Sequence, residues 1–167
     1  MNTELEYREG STDDLKELKE LGLITFGQYA PQLNPEHWKT LHDNLQNENR
    51  LAELIAISKV FVCTHNKVIV GRAFLVPKGN PTPIFEPGWA QIRMVGVHPD
   101  FTGKGIAKEL TRLCINEAKT TKETVIALHT SEMMDAARHI YENAGFKQIK
   151  EIDPLFGKRY WLYQLEL

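Results

Sequence analysis

The chain has 167 residues and a formal net charge of −2, from 20 basic and 22 acidic side chains interspersed along its length. That length fits one domain, residues 1–167, better than two, and 42% apolar residues are too many for a disordered chain. The near-neutral balance argues against a nucleic-acid partner, which selects a basic face, and no apolar run is long enough to cross a membrane.

Met1 to Gly10 is polar and acidic, unlike an export signal, so a cytoplasmic location is expected. A short strand is predicted over Leu5 to Arg8. Ser11 then reads as a helix N-cap, with Asp13 and Asp14 in the first turn where the helix dipole favours anions; the helix runs to about Ile24. Asn34-Pro35 starts a second helix with an apolar stripe of Trp38, Leu41 and Leu45. Val60 to Thr64 and Val68 to Val76 are rich in β-branched residues and flank a turn, which predicts a hairpin. Pro77 to Gly88, with four prolines and two glycines, is a long loop. Trp89 to Val97 is a strand that Pro99-Asp100 stops. Gly103 to Lys119 is an amphipathic helix, with Ile106, Leu110, Leu113 and Cys114 on one face. Thr124 to His129 is a strand, Ser131 caps a helix ending at Gly145, and Phe146 to Ile152 with Arg159 to Leu167 closes the fold as a hairpin. Tyr160, Trp161 and Tyr163 are expected to alternate between core and surface. Cys63 and Cys114 lack metal-ligand spacing and are expected to be buried free thiols; no metal site is expected.

One stretch carries chemistry: Val95-Gly-Val-His-Pro-Asp-Phe-Thr-Gly-Lys-Gly-Ile-Ala107, a strand that enters a glycine-containing turn and then a helix. The first turn of a helix leaves its N–H groups without intrahelical partners, and with the dipole these form a phosphate site. Gly103 and Gly105 clear side chains from that backbone, and Lys104 and Lys108 add positive charge. A pyrophosphate-binding turn and an ordinary glycine-rich connection both fit this pattern. Two known phosphate loops do not. A Walker loop needs four residues between its first Gly and Gly-Lys, whereas six separate Gly96 from Gly103. A dinucleotide fingerprint needs a small residue where Lys108 stands.

The segment Thr102-Gly-Lys-Gly-Ile-Ala107 resembles motif A of the GNAT acetyltransferases, Q/R-x-x-G-x-G/A, and Ala137-Arg-His-Ile-Tyr-Glu-Asn-Ala-Gly-Phe146 resembles their motif B, A-x-x-L-Y-x-x-x-G-F. The resemblance implies a mixed α/β fold of order β-α-α-β-β-β-α-β-α-β-β with splayed central strands, and transfer of an acetyl group from the cosubstrate acetyl-CoA to a primary amine by direct attack. It implies that the turn Thr102, Gly103, Lys104, Gly105, Ile106 and Ala107 binds the pyrophosphate. Val95 and Val97 would pair with the pantetheine arm, the Val95 N–H would stabilise the oxyanion, and Tyr141 would protonate the leaving thiolate. Gly96 in mid-strand fits a bulge or a close ligand approach.

Thr102 replaces the usual Gln or Arg, and Met134 stands where some relatives have Asn. More consequentially, Trp89 to Val97 holds no carboxylate to act as base; Gln91 and Arg93 stand where an acid is usual. The amine proton is then expected to leave through water, with His129 as a relay, or as a structural histidine only. Glu86 is the nearest carboxylate in sequence and could meet a cationic amine, although a solvated loop charge is the commoner case. His37 reads as solvated and Trp38 as core. A non-catalytic acyl-CoA sensor of the same fold is the competing reading, and a nucleic-acid or protein-binding module has only the long loop in its favour. The acceptor is not legible beyond a small-molecule or peptide amine, and homodimerisation is left open.

Overall fold

The computed structural model describes residues 4–167. Strand β1 (Leu5–Glu9) is followed by three helices, α1 (Leu15–Gly27), α2 (Pro35–Gln46) and α3 (Glu48–Ile57). Then come β2 (Lys59–His65), β3 (Val68–Val76), β4 (Ala90–Val97), α4 (Ile106–Thr120), β5 (Val125–Ser131), α5 (Asp135–Asn143), β6 (Lys147–Leu155) and β7 (Lys158–Glu166). The strands form one sheet of order β1-β2-β3-β4-β5-β7-β6, antiparallel throughout except for the parallel β4–β5 pair.

The expected order holds with one addition, α3, packed against α1. Asn47 both ends α2 and caps α3, its side chain accepting from the Arg50 N–H at 3.1 Å. A single shared residue leaves no breaker in the sequence to mark the join. The expected caps at Ser11 and Asn34 are present: Ser11 Oγ accepts from the Asp13 N–H, and Asn34 Oδ1 from the His37 N–H at 2.7 Å. Ser131 is not the cap of the α5 helix. It ends β5, and its hydroxyl accepts from the Met133 N–H in the turn that follows.

The strands' alternation divides the core between two faces. On one face, Ile106, Leu110, Cys114 and Ala118 of α4 and Tyr141 of α5 pack on Val70, Ala90, Ile92, Ile126, Leu128, Trp161 and Tyr163. On the other, Leu18 and Leu21 of α1 and Ile55 of α3 pack on Val60, Val62, Ile69 and Phe74. Tyr160, Trp161 and Tyr163 are therefore all buried, which corrects the expected core–surface alternation. Strand β7 is covered on both sides, so both of its faces are core. Cys63 and Cys114 are buried and free. Beneath α1 lies a fully buried cation: Arg72 Nη1 donates to the Leu18 carbonyl at 2.7 Å, and the guanidinium sits 5.4 Å from the Phe74 ring.

Helix α1 also rests on Gly96 of β4. A Cβ built there would stand 2.8 Å from Thr25 Oγ1 and 3.2 Å from Thr25 Cβ. Gly96→Ala is expected to destabilise the protein by about 1–3 kcal/mol through overpacking. In urea unfolding, adding Thr25→Ala should recover part of that loss; no recovery would show that the contact is not the cause.

Candidate active site

The parallel pair that centres the sheet is short. β4 and β5 are in register only at Ala90↔Ile126 and Gln91↔Ala127, although β5 stays paired with β7 over all seven residues from Val125 to Ser131. Beyond Gln91 the two strands diverge into a wedge that opens toward their C-terminal ends, where crossover folds place their ligands. A bulge in β4 accompanies the divergence. Phe74 faces Arg93 and Arg72 faces Gly96, so Met94 and Val95 together oppose Ala73. Met94 takes a left-handed φ of 55°. A bulge bends its strand and leaves the extra residue outside the ladder. The bulge thus sits at Met94, not at Gly96, whose lack of a side chain admits α1 instead. The side chains of Val95 and Val97 pack onto the α4 face while their backbone borders the wedge.

At the mouth of the wedge, β4 passes through a 3₁₀ turn (Pro99–Phe101) into α4. The His98 N–H donates to the Val70 carbonyl at 2.8 Å, and Ile106 is seated over Gly71, where a Cβ would stand 2.6 Å from Ile106 Cγ2. These contacts pin the N-terminus of α4 to β3. Gly103 and Gly105 both have left-handed φ, 77° and 79°, with nothing within 4 Å of a Cβ added at either. The glycines are needed for their backbone angles, and the resulting turn presents bare backbone to solvent. Lys104 and Lys108 are exposed beside it. Thr102 donates its hydroxyl to the Pro99 carbonyl at 3.1 Å, within the turn. The six residues from Thr102 to Ala107 therefore form one helix N-terminus at the end of the wedge that Val95 and Val97 border.

Tyr141 enters from α5, buried and edge-on to Phe146 at 5.9 Å. Burial, with Cys114 and Tyr29 nearby, raises its pKa well above that of a free phenol. Tyr29, just past the end of α1, packs its ring near Phe26 at 6.3 Å and adds to the raised proton affinity of both Tyr141 and Tyr160.

The face toward α1 and α2 is polar. Gln91, fully buried, donates its Nε2 to the Asn80 carbonyl at 2.8 Å, and its Oε1 has no partner among the described residues. His129 is stacked on Phe85 at 5.7 Å and meets Tyr160 edge-on at 5.4 Å; its Nδ1 is buried and also unpartnered. Burial, then the charge of Arg93, lowers its pKa to about 4, so it is neutral at physiological pH. The long loop supplies Phe85: Thr82 Oγ1 accepts from the N–H groups of Ile84 and Phe85 and turns that ring inward. Glu86 of the same loop is exposed and brings no carboxylate to the wedge. His37, expected to be solvated, is half-buried against the β6–β7 turn: a Cβ at Gly157 would stand 2.7 Å from its ring. Sequence reasoning missed Tyr29 and Phe85, which lie in irregular segments with no periodicity to mark them. An open surface cleft of about 360 Å³ on β1 and β2, lined by Glu6, Tyr7, Arg8, Thr64 and Lys67, contains none of these groups.

The profile of the acetyltransferase (GNAT) family matches residues 24–146, which include the bulged strand, the glycine turn and the Tyr141 helix. The chain belongs to the GNAT acetyltransferase family. Among solved structures this GNAT chain resembles the PaiA N-acetyltransferase of Thermoplasma acidophilum in complex with coenzyme A, with a TM-score of 0.79, 16% identity, and coverage of 98% of this chain and 99% of that one. YncA of Salmonella typhimurium with its cofactor acetyl-CoA follows at a TM-score of 0.76 and 21% identity, over 98% and 94%. The ribosomal-protein-S18-alanine N-acetyltransferase of Escherichia coli gives 0.67 and 18%, over 98% and 94%. At these identities the likeness is one of fold. A match to the N-acetylaspartate synthetase of Danio rerio is 35% identical over 63 residues, 38% of this chain and 22% of that protein, so it spans under a quarter of that relative's length. Among the described residues no helix is long and apolar enough to cross a membrane.

The buried neutral state of His129 has a consequence for stability. The unfolded chain takes up this proton near pH 6.5, the folded chain only near about 4. The folded state is therefore progressively disfavoured as pH falls through that window. His129→Phe keeps the ring stack and removes the titration. It should lose less stability than wild type between pH 7 and pH 4, by something on the order of 1–3 kcal/mol, in urea unfolding at each pH. Parallel losses would show that His129 titrates normally.

Proposed function

We propose that this protein transfers the acetyl group of acetyl-CoA to a primary amine. The observation that carries this reading is the convergence of three features on one wedge. They are the open backbone edge of β4 at Val95 and Val97, the bare N-terminal turn of α4, and a buried, protonated tyrosine on the opposing helix.

Each feature suits one part of that cosubstrate. The turn from Thr102 to Ala107 offers unpaired N–H groups and a helix dipole to a pyrophosphate, with Lys104 and Lys108 beside it. The β4 edge, freed from β5, offers strand-like hydrogen bonds to an amide-bearing arm. The Val95 N–H stands beyond the bulge, where it would donate to the thioester oxygen as charge develops there. The neutral amine nitrogen attacks the carbonyl carbon, a C–N bond forms, the nitrogen sheds one N–H proton to water, the C–S bond breaks, and sulfur keeps the electron pair. Tyr141 would give that sulfur a proton and regain one from solvent. Burial raises the proton affinity of a thiolate beside Tyr141 as it does that of the phenol, so the two stay matched.

The amine must arrive with its lone pair free, yet a free alkylamine has a pKa of about 10.4. Among the described residues no carboxylate lines this part of β4, and Glu86 is solvated. His129, neutral and with Nδ1 unpartnered, would accept a hydrogen bond from the amine and orient it, while the proton itself leaves to water, because burial makes this imidazole too weak a base to hold it. The names of the relatives specify a ribosomal-protein alanine in one case and N-acetylaspartate in another. The acceptor must therefore be read from this chain's own cleft.

Release of free thiol from acetyl-CoA across a panel of amines tests the reading. Its absence with every amine, in a protein that binds acetyl-CoA, would favour an acyl-CoA sensor. Gly105→Asp places a side chain and a negative charge at a position of left-handed φ in the turn. It should lower acetyl-CoA affinity more than tenfold, or about 1.4 kcal/mol, with the fold retained by circular dichroism; unchanged calorimetric affinity would remove the turn from the site. Tyr141→Phe should keep acetyl-CoA binding and lower the single-turnover rate by about 10² or more, the range of general-acid terms. A wild-type rate would mean another group protonates the thiolate.

A further inference from the structure

The polar face of the wedge holds a charge that no described residue balances. Arg93 of β4, half-buried immediately before the bulge, has no ion pair and no side-chain hydrogen bond among the described residues. The charged group that acts on it is another cation, Arg50 in the first turn of α3, whose guanidinium is likewise unpaired. Four of the other arginines are ion-paired: Arg8 with Asp14, Arg112 with Glu109, Arg138 with Asp135 and Arg159 with Glu151; the buried Arg72 donates Nη1 to a backbone carbonyl and leaves its Nε unpartnered among the described residues. Arg93 is partly desolvated beside the wedge, and the charge that acts on it, the exposed Arg50, has the same sign, so without an anion it raises the energy of the fold.

We propose that the acceptor is a small amine that carries a carboxylate, an amino acid or a molecule of that size, with its carboxylate held by Arg93 and Arg50. The proposal rests on the acetyl-transfer reading above and names the substrate class for it. Unmet donors and unmet acceptors occur on the same face. The guanidiniums lack an anion, and the buried Gln91 Oε1 and His129 Nδ1 lack a partner. A molecule with a carboxylate at one point and an amine at another answers both needs, and planar guanidinium groups suit carboxylates in bidentate geometry. The same charges repel polyamines and aminoglycosides. The acceptor's size is bounded from above. Phe156, in the β6–β7 turn, and Met133 pack with Trp38 of α2 and Phe26 of α1, so the hairpin tip bridges onto the helices and roofs this side of the sheet.

The test is thiol-release kinetics with amino acids, the same amino acids as α-amides, short peptides, spermidine and kanamycin. Amino acids should exceed their amides in kcat/KM by about 10- to 100-fold, the usual worth of a charge-assisted pair. Arg93→Gln should bring the acid-to-amide ratio close to one, mainly through KM, and Arg93→Lys should restore part of it. The proposal is overturned if spermidine, kanamycin or peptides are the best acceptors, if acids and amides react alike, or if Arg93→Gln slows every acceptor equally. Release with the wrong class of amine leaves the acetyl-transfer reading standing; release with none defeats it. In that case, calorimetric titration of amino acids into the protein saturated with CoA decides the site. Binding that Arg93→Gln or Arg50→Ala weakens tenfold or more supports it, and no such binding overturns it.

Discussion

The architecture of the candidate site depends on how briefly β4 and β5 run together. Two residue pairs join them, and the bulge at Met94–Val95 then takes β4 out of line. Had the pairing continued, Val95 and Val97 would be spent on a ladder and the sheet would be closed. Because it stops, the middle of the sheet becomes a gap with two chemically different walls. On the α4 side the wall is apolar, with Tyr141 buried in the core behind it, and ends on the helix N-terminus. On the α1–α2 side it carries Gln91, Arg93, His129 and Tyr160. Two substrates could meet through such a gap from opposite faces of one sheet.

The polar wall runs against the economy of the rest of the core. A fold selected for stability alone would not leave Gln91 Oε1, His129 Nδ1 and the Arg93 guanidinium without partners in partly or fully buried places. Arg72, by contrast, is more deeply buried yet has the Leu18 carbonyl and the Phe74 ring to meet it, and it lies beneath α1, away from the gap. Of the four buried side-chain atoms without a partner among the described residues, Gln91 Oε1 and His129 Nδ1 lie on this wall and Arg72 Nε and Glu123 Oε1 lie elsewhere.

What could be read from the sequence was what the backbone demands of particular residue types. Gly103 and Gly105 announced a turn because few other residues tolerate their φ angles, and β2, β3 and α4 announced themselves by β-branching and period. The α2–α3 join escaped because Asn47 serves both helices without a breaker. The bulge was misplaced onto Gly96 because Met94, a side chain with no preference for left-handed backbone, is held at φ 55° by the strands around it. Gln91 and Arg93 were visible only as the absence of an acid. Their meaning came from the company they keep across β5 and α3, which no local pattern encodes. The same holds for Tyr29 and Phe85, brought to the wedge by a helix end and a loop. Tyr160, Trp161 and Tyr163 misled because alternation reveals which faces a strand has, not how many of them are covered.

Strand β6, the last strand of the sheet order, has an outer edge that pairs with no other strand of the sheet. It is exposed along most of its length, departs from regular register at two places, and carries Lys147, Lys150 and Pro154. Lysines, irregular register and a proline, which has no N–H to offer, are all devices that spoil a template for strand addition. The molecule thus handles its two kinds of open edge in opposite ways. The edge at the centre is kept bare and regular enough to offer strand hydrogen bonds. The edge at the rim is made unfit to offer them, which guards against sheet-to-sheet aggregation at the concentrations of a crowded cell.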